Sequence, residues 1–216
     1  MNYNAILFDL DGTLVDSAKL IFGAFNHVAE RFVGRRYAPE EITTFFGPSE
    51  ESTWVHLAKP GELQEALDAY YAYYKERQDE VEVYPGIEPL LARLKAAGVP
   101  MAIVTGRGVR TTQITYEHFD FERFFSCVVT SHDISHPKPH PESVSLACER
   151  LQVKPARTLM VGDSAMDVEA GRSAGAATAG VLWGTFGLGG PMEKAGPDYR
   201  FESPKALERF LFEAPD

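Results

Sequence analysis

The chain has 216 residues, 44% of them hydrophobic and 24% charged, with a formal net charge of −10. The length suits one large domain or two small ones, and the composition is that of a soluble globular protein, which excludes a disordered chain. The acidic balance excludes an unassisted nucleic-acid or anionic-membrane surface, since both favour basic patches.

The first element in chain order is the most informative. Ala5-Ile6-Leu7-Phe8 is an apolar run too short for a helix and reads as a buried strand. It delivers Asp9 at its carboxyl end, and Asp11 follows in a turn that Gly12 permits. Two carboxylates so placed repel each other unless a cation, a proton or a ring of donors sits between them.

Residues 15–84 break into helical patterns with no convincing strand. Ser17–Val33 carries Leu20, Ile21, Ala24, Phe25 and Val28 at helical spacing, and Leu63–Tyr74 repeats the pattern with Ala and Tyr. This block reads as a helical insertion, and Pro85-Gly86 marks the return to the main domain. From there strands and helices alternate. Strands are expected at Met101–Val104, Cys127–Thr130, Thr158–Val161 and Ala177–Leu182, with a weaker one at Tyr199–Phe201. Helices are expected at Ile87–Ala97, Pro141–Leu151 and Met166–Ala174. That rhythm implies an α/β protein with a parallel sheet covered on both faces.

In such sheets ligands gather outside the carboxyl ends of the strands. Thr105-Gly106-Arg107 follows the second strand and offers a hydroxyl, free N–H groups and a cation. His136-Pro137-Lys138-Pro139-His140-Pro141 lies beyond the third, where prolines restrict the backbone that carries Lys138. Gly162-Asp163-Ser164-Ala165-Met166-Asp167 follows the fourth. Singly, Thr105 or Asp163 reads as a helix cap and Lys138 as a solvated lysine. Together, carboxylates suit a hard cation, Mg²⁺ when phosphate is present, while lysine and threonine suit phosphoryl oxygens. The set reads as phosphoryl transfer.

These four blocks resemble the signatures of the haloacid dehalogenase superfamily, and the resemblance covers nearly the whole chain. Asp9-Leu10-Asp11-Gly12-Thr13 is similar to its DxDGT block, Thr105 to its second-motif hydroxyl, Lys138 to its lysine, and Gly162 to Asp167 to its GDSxxD block. The resemblance implies a Rossmann-like, doubly wound parallel sheet, residues 1–14 and 85–216, with an inserted helical (C1-type) cap, residues 15–84. It implies Asp9 as nucleophile and Asp11 as general acid and base. Mg²⁺ would be held by Asp9, the Asp11 carbonyl and Asp163. Thr105 and Gly106 would hold phosphoryl oxygens beside Gly12 and Thr13. Lys138 would neutralise charge, with Asp167 and Ser164 in support. An acid at position 11 argues against dehalogenase and phosphonate-hydrolase chemistry.

Two places depart from the pattern or set the substrate. Arg107 stands where relatives often have another residue; it is a candidate contact for a substrate carboxylate or phosphate, with solvation the favoured reading. The stretch Phe45-Phe46-Gly47-Pro48-Ser49-Glu50-Glu51 is the expected cap loop, with Ser49 capping a helix or touching substrate, and Glu50 and Glu51 facing solvent. His136 and His140 read as structural or exposed. Cys127 and Cys148 have no metal-ligand spacing and read as reduced core residues. With no leader-like segment and no apolar window near about 18 residues, the cytoplasm is the expected compartment. The expectation is a Mg²⁺-dependent phosphatase, monomer or homodimer, acting on a small phosphorylated metabolite resembling phosphoglycolate. A β-phosphoglucomutase-like mutase and a pyrophosphatase are the alternatives, and a non-catalytic binding protein is the remaining one.

Overall fold

Short apolar runs that alternate with helices fold here as one twisted parallel sheet. The computed structural model describes residues 3–46, 49–184 and 190–213. The elements in chain order are β1 (Ala5–Phe8), β2 (Val15–Asp16), α1 (Ala18–Phe32), α2 (Pro39–Ile42), α3 (Glu50–Leu57), α4 (Leu63–Glu76), β3 (Glu82–Val83), α5 (Ile87–Ala96) and β4 (Met101–Val104). They continue with α6 (Val109–His118), β5 (Cys127–Val129), α7 (Glu142–Arg150), β6 (Thr158–Gly162), α8 (Ala165–Ala174), β7 (Ala177–Val181), α9 (Gly190–Ala195), β8 (Tyr199–Phe201) and α10 (Pro204–Phe212). The larger sheet has six strands in the order β5-β4-β1-β6-β7-β8, all parallel.

Side chains of successive residues in β1 point to opposite faces, and each face has its own helices. Ile6 and Phe8 join Ile103, Leu159 and Val161 in a core closed by Leu90, Leu91 and Leu94 of α5 and Leu207 of α10. Leu7 joins Ala102, Val104, Val129 and Met160 on the other face, closed by Val144 and Ala147 of α7 and Ala170 of α8. Each fully buried aliphatic side chain contributes roughly 1.5–3 kcal/mol. The architecture is the Rossmann-like, doubly wound α/β fold expected from the alternation.

The strand order reverses between β1 and β6, the position where such sheets open a crevice at their carboxyl ends. The register sets Phe8 beside Val161, and the Asp9 N–H donates to the Val161 carbonyl at 2.8 Å. Asp9 and Asp163, one just past each strand, are therefore brought side by side by the sheet itself.

Residues between β2 and β3 are helical, as the periodicity predicts. Helix α1 packs Ala24, Phe25 and Val28 against the α4 face that carries Ala66, Leu67, Tyr70 and Tyr74. Phe25 is the centre of an aromatic cluster, with ring centroids 5.0 Å from Trp54, 5.3 Å from Tyr37 and 5.4 Å from Phe45. One expectation is corrected: the segment does contain strand structure at its ends. Val15 pairs with Val83 and Asp16 with Glu82 in a two-stranded antiparallel ladder. Two-residue strands are too short to show a period of two, so the alternation rule has nothing to act on. Among the described residues no helix is long and apolar enough to cross a membrane.

The sheet core gives a direct test. Ile103 is fully buried in β4, so Ile103→Ala is expected to lower stability by roughly 2–5 kcal/mol. Urea unfolding should show a lower midpoint with an unchanged m-value.

Candidate active site

Lys138 is the hub of the crevice. Its ammonium donates to Asp9 Oδ1 at 2.8 Å, to Asp167 Oδ1 at 2.5 Å and to the Val104 carbonyl at 2.9 Å. Those three bonds use all three of its protons. Burial disfavours its charge, but Asp167 and Asp9 more than restore it, and its pKa is raised. Asp167 is also the third residue of α8, where its Oδ2 accepts from the Ser164 N–H at 3.1 Å and the Ser164 hydroxyl at 2.5 Å. Ser164 returns the favour by accepting from the Asp167 N–H, a capping box. Asp167 is thus locked at both oxygens and fixes the lysine from behind.

The donor set fits a hard divalent cation. Asp9, Asp163 and Asp167 each offer a carboxylate oxygen, all within 4.8 Å of one another. Since both Asp167 oxygens are engaged, the free pair is Asp9 and Asp163. Asp163 is 2% exposed, and its Oδ2 is buried with no hydrogen-bond partner. Burial pushes Asp9 up to about 7, with Lys138 opposing and the Asp167 and Asp11 carboxylates adding to the rise. Burial, then Asp9, pushes Asp163 well above the usual carboxylate range. The crevice holds more negative charge than its one ammonium can balance, which is the condition that an oxygen-coordinated cation relieves.

Gly12 makes this approach possible. Its φ is 77°, in the left-handed region, and a Cβ there would run into the Asp163 carboxylate. The next carboxylate, Asp11, turns away from Asp163. Its Oδ2 accepts from Arg107 Nε at 2.6 Å, and its Oδ1 accepts from Arg107 Nη2 and from the Ser17 hydroxyl. Any part Asp11 plays in holding a cation therefore falls to its backbone carbonyl. The expectation of a solvated Arg107 is corrected: its side chain is 6% exposed. It forms a fork onto Asp11, its Nη1 donates to Thr115 Oγ1 at 2.8 Å, and its guanidinium lies 5.2 Å from the centre of the Tyr74 ring. Burial works against the charge, but Asp11 beside it raises the Arg107 pKa overall. Thr105 is buried at the end of β4, and its hydroxyl accepts from the Arg107 N–H at 3.2 Å.

A cavity of about 160 Å³ opens onto these groups. Its sheet side presents Asp9, Asp11, Thr105, Gly106, Arg107, Lys138 and Asp163, and its other side is formed by the helical insertion.

Comparisons with known proteins agree with this geometry. Residues 6–181 match the family model described as haloacid dehalogenase-like hydrolase. Pyrophosphatase PpaX of Bacillus mycoides is 36% identical over 200 residues, covering 92% of both chains. A solved structure of a predicted phosphatase from Clostridium acetobutylicum matches with a TM-score of 0.81 at 28% identity, covering 99% of this chain and 100% of that one. A predicted phosphoglycolate phosphatase from Haemophilus somnus shares the fold, with a TM-score of 0.85 at 24% identity over 98% of this chain and 99% of the other. The chain belongs to the haloacid dehalogenase-like hydrolases. It is accordingly an enzyme, a hydrolase of the phosphatase type.

Within this haloacid dehalogenase-like frame, the structure brings together Asp9, Asp11, Thr105, Gly106, Arg107, Lys138, Asp163, Ser164 and Asp167 around the cavity. Gly12, Thr13 and Ser49 do not line it. Gly12 supports the turn, Thr13 is fully buried and its carbonyl accepts from the Trp183 indole at 3.0 Å, and Ser49 caps α3 by accepting from the Ser52 N–H. Gly47 and Pro48 of the expected cap loop lie outside the described residues. The expectation that Glu50 and Glu51 face solvent is corrected. Glu50 reaches the sheet domain, accepting from the Gly108 N–H at 2.8 Å and from the Thr111 hydroxyl, and it lines the cavity. Glu51 accepts from the Tyr71 hydroxyl and lies 3.6 Å from His132 Nε2. Both sit at the start of α3, so a reading of the sequence sees only acidic first-turn residues on a solvated helix. His136 and His140 are exposed, as expected, with His136 Nδ1 2.8 Å from Glu142.

Two substitutions test this arrangement. Gly12→Ala is expected to leave a folded protein whose phosphate-releasing activity falls by on the order of tenfold or more, because both the φ and the space beside Asp163 are lost. Asp167→Ala, which frees Lys138 from its rear anchor, is expected to lower kcat with little change in KM. Circular dichroism and initial-rate measurements check both.

Proposed function

We propose that this hydrolase is a Mg²⁺-dependent phosphatase that cleaves a small phosphomonoester through an aspartyl-phosphate. The observation that carries the reading is Asp9, placed at the mouth of the sheet crevice and bonded to Lys138 beside an unpartnered Asp163 oxygen. In this reading an Asp9 oxygen attacks phosphorus, the bond from phosphorus to the ester oxygen breaks, and Asp11, once Arg107 Nε lets go of its Oδ2, gives that oxygen a proton. Asp11 then takes a proton from the water that attacks the aspartyl-phosphate, which releases inorganic phosphate and restores Asp9. The Thr105 hydroxyl and the Gly106 N–H hold phosphoryl oxygens, while Lys138 balances charge on Asp9 and the transferring group.

Asp9, Asp163 and the Asp11 carbonyl would hold Mg²⁺, which would supply the positive charge that keeps Asp9 ionised and lowers repulsion between it and the phosphoryl group. Residues 1–14 and 85–216 act as the catalytic domain, and residues 15–84 as the cap that covers the cavity. The names of the relatives favour one second reading, hydrolysis of pyrophosphate by the same residues.

Phosphate release from p-nitrophenyl phosphate tests the proposal. Asp9→Asn is expected to lose activity by on the order of 10³-fold or more, as expected when a covalent nucleophile is removed. EDTA is expected to abolish the activity of the wild-type protein, and added Mg²⁺ to restore it. Full activity of Asp9→Asn would sink the aspartyl-phosphate route. Conversion of a sugar 1-phosphate to its 6-phosphate without phosphate release would replace the phosphatase with a mutase.

A further inference from the structure

We infer that the cap side of the cavity accepts an uncharged, apolar or aromatic leaving group and rejects one that carries a carboxylate or a second phosphate. The inference rests on the phosphatase reading and narrows its substrate class.

The two sides of the cavity differ in chemistry. The sheet side is polar and ionic. The insertion contributes Phe25, Phe45, Phe46, Trp54 and Tyr70, with Trp54 and Tyr70 nearly fully buried. Aromatic walls of this kind stabilise apolar groups by burial and ring contact. The insertion adds the Thr53, Tyr70 and Tyr74 hydroxyls but no cation, and a buried anion needs a cation or several N–H donors to offset its lost hydration.

The cations lining the cavity, among the described residues, are Lys138 and Arg107. The three protons of Lys138 go to Asp9, Asp167 and the Val104 carbonyl. Arg107 is engaged on Nε, Nη1 and Nη2 by Asp11 and Thr115. The residues outside the described set, 1–2, 47–48, 185–189 and 214–216, include no lysine, arginine or histidine. The Gly108 N–H at the start of α6, a natural anion slot, is already filled, because it donates to Glu50.

Glu50 is also the charged group that the insertion itself puts on the cavity wall, and its charge is negative. A leaving group with its own negative charge meets a carboxylate and no unpaired cation there. Pyrophosphate and phosphoglycolate, the compounds in the names of the relatives, both carry such a charge.

The experiment compares kcat/KM for phenyl phosphate and 3-carboxyphenyl phosphate, with phosphoglycolate and pyrophosphate alongside, using the full chain with Mg²⁺. The uncharged ester is expected to be preferred over each charged one by roughly tenfold or more, the size of discrimination that one mismatched pocket group produces. Glu50→Gln, which keeps an oxygen for the Gly108 N–H and removes the charge, is expected to narrow the phenyl to carboxyphenyl ratio several-fold by improving the charged ester. Equal or better turnover of 3-carboxyphenyl phosphate, phosphoglycolate or pyrophosphate by the wild-type protein overturns the inference and leaves the phosphatase reading standing. An unchanged ratio in a folded Glu50→Gln protein removes Glu50 as its cause and overturns that part. No Mg²⁺-dependent phosphate release from any compound overturns the phosphatase reading, and this inference with it.

Discussion

A buried ammonium is what allows carboxylates to crowd into this crevice. Asp9 and Asp167 approach Lys138 from two sides, and the Val104 carbonyl takes its third proton. Taking that charge out of water is tolerable only because every donor is paired. The cost of the arrangement falls on Asp9 and Asp163, whose pKa values rise because burial and mutual repulsion exceed what one lysine supplies. Asp9, Asp163 and Asp167 set three carboxylates against one ammonium, an excess that a divalent cation would offset.

The sheet supplies the precision and the insertion supplies the cover. Asp9 and Asp163 owe their proximity to backbone register between β1 and β6, so their spacing is set by ladder hydrogen bonds rather than by loop conformation. Arg107 belongs to the loop after β4, yet it clamps Asp11 from the loop after β1. Glu50 belongs to the insertion, yet it is held by the first turn of α6. Each of the three pairs joins separate chain segments across the crevice, and none is interrupted by a flexible spacer.

The sequence made the sheet legible because buried parallel strands are nearly continuous apolar runs bounded by turn residues, as Ala5–Phe8 and Met101–Val104 are. Residues just past those runs stood out because carboxylates, a lysine and a hydroxyl at strand ends have few other uses together. What stayed hidden was anything set by contact between distant segments. Arg107 looked like a loop cation, although an arginine three residues past a strand in an acidic site has a ready partner in Asp11. Glu50 looked like a solvated first-turn acid, because no local pattern tells which helix end faces a neighbouring domain. The β2–β3 ladder was too short for its periodicity to register.

That ladder places the two crossings between sheet and insertion next to each other, with Val15 facing Val83 and the Tyr84 N–H donating to the Leu14 carbonyl at 3.1 Å. Facing residues of such a pair lie only about 4.5–5.5 Å apart, so the insertion leaves and rejoins the sheet domain at nearly one point. Topologically it is a cassette, whose length and sequence can change without altering the register that sets Asp9 beside Asp163. The apolar surface shared between insertion and sheet means the cassette can be exchanged more readily than removed. A lineage built on this plan can therefore vary the cover over the cavity while the strand-end carboxylates stay where the sheet puts them.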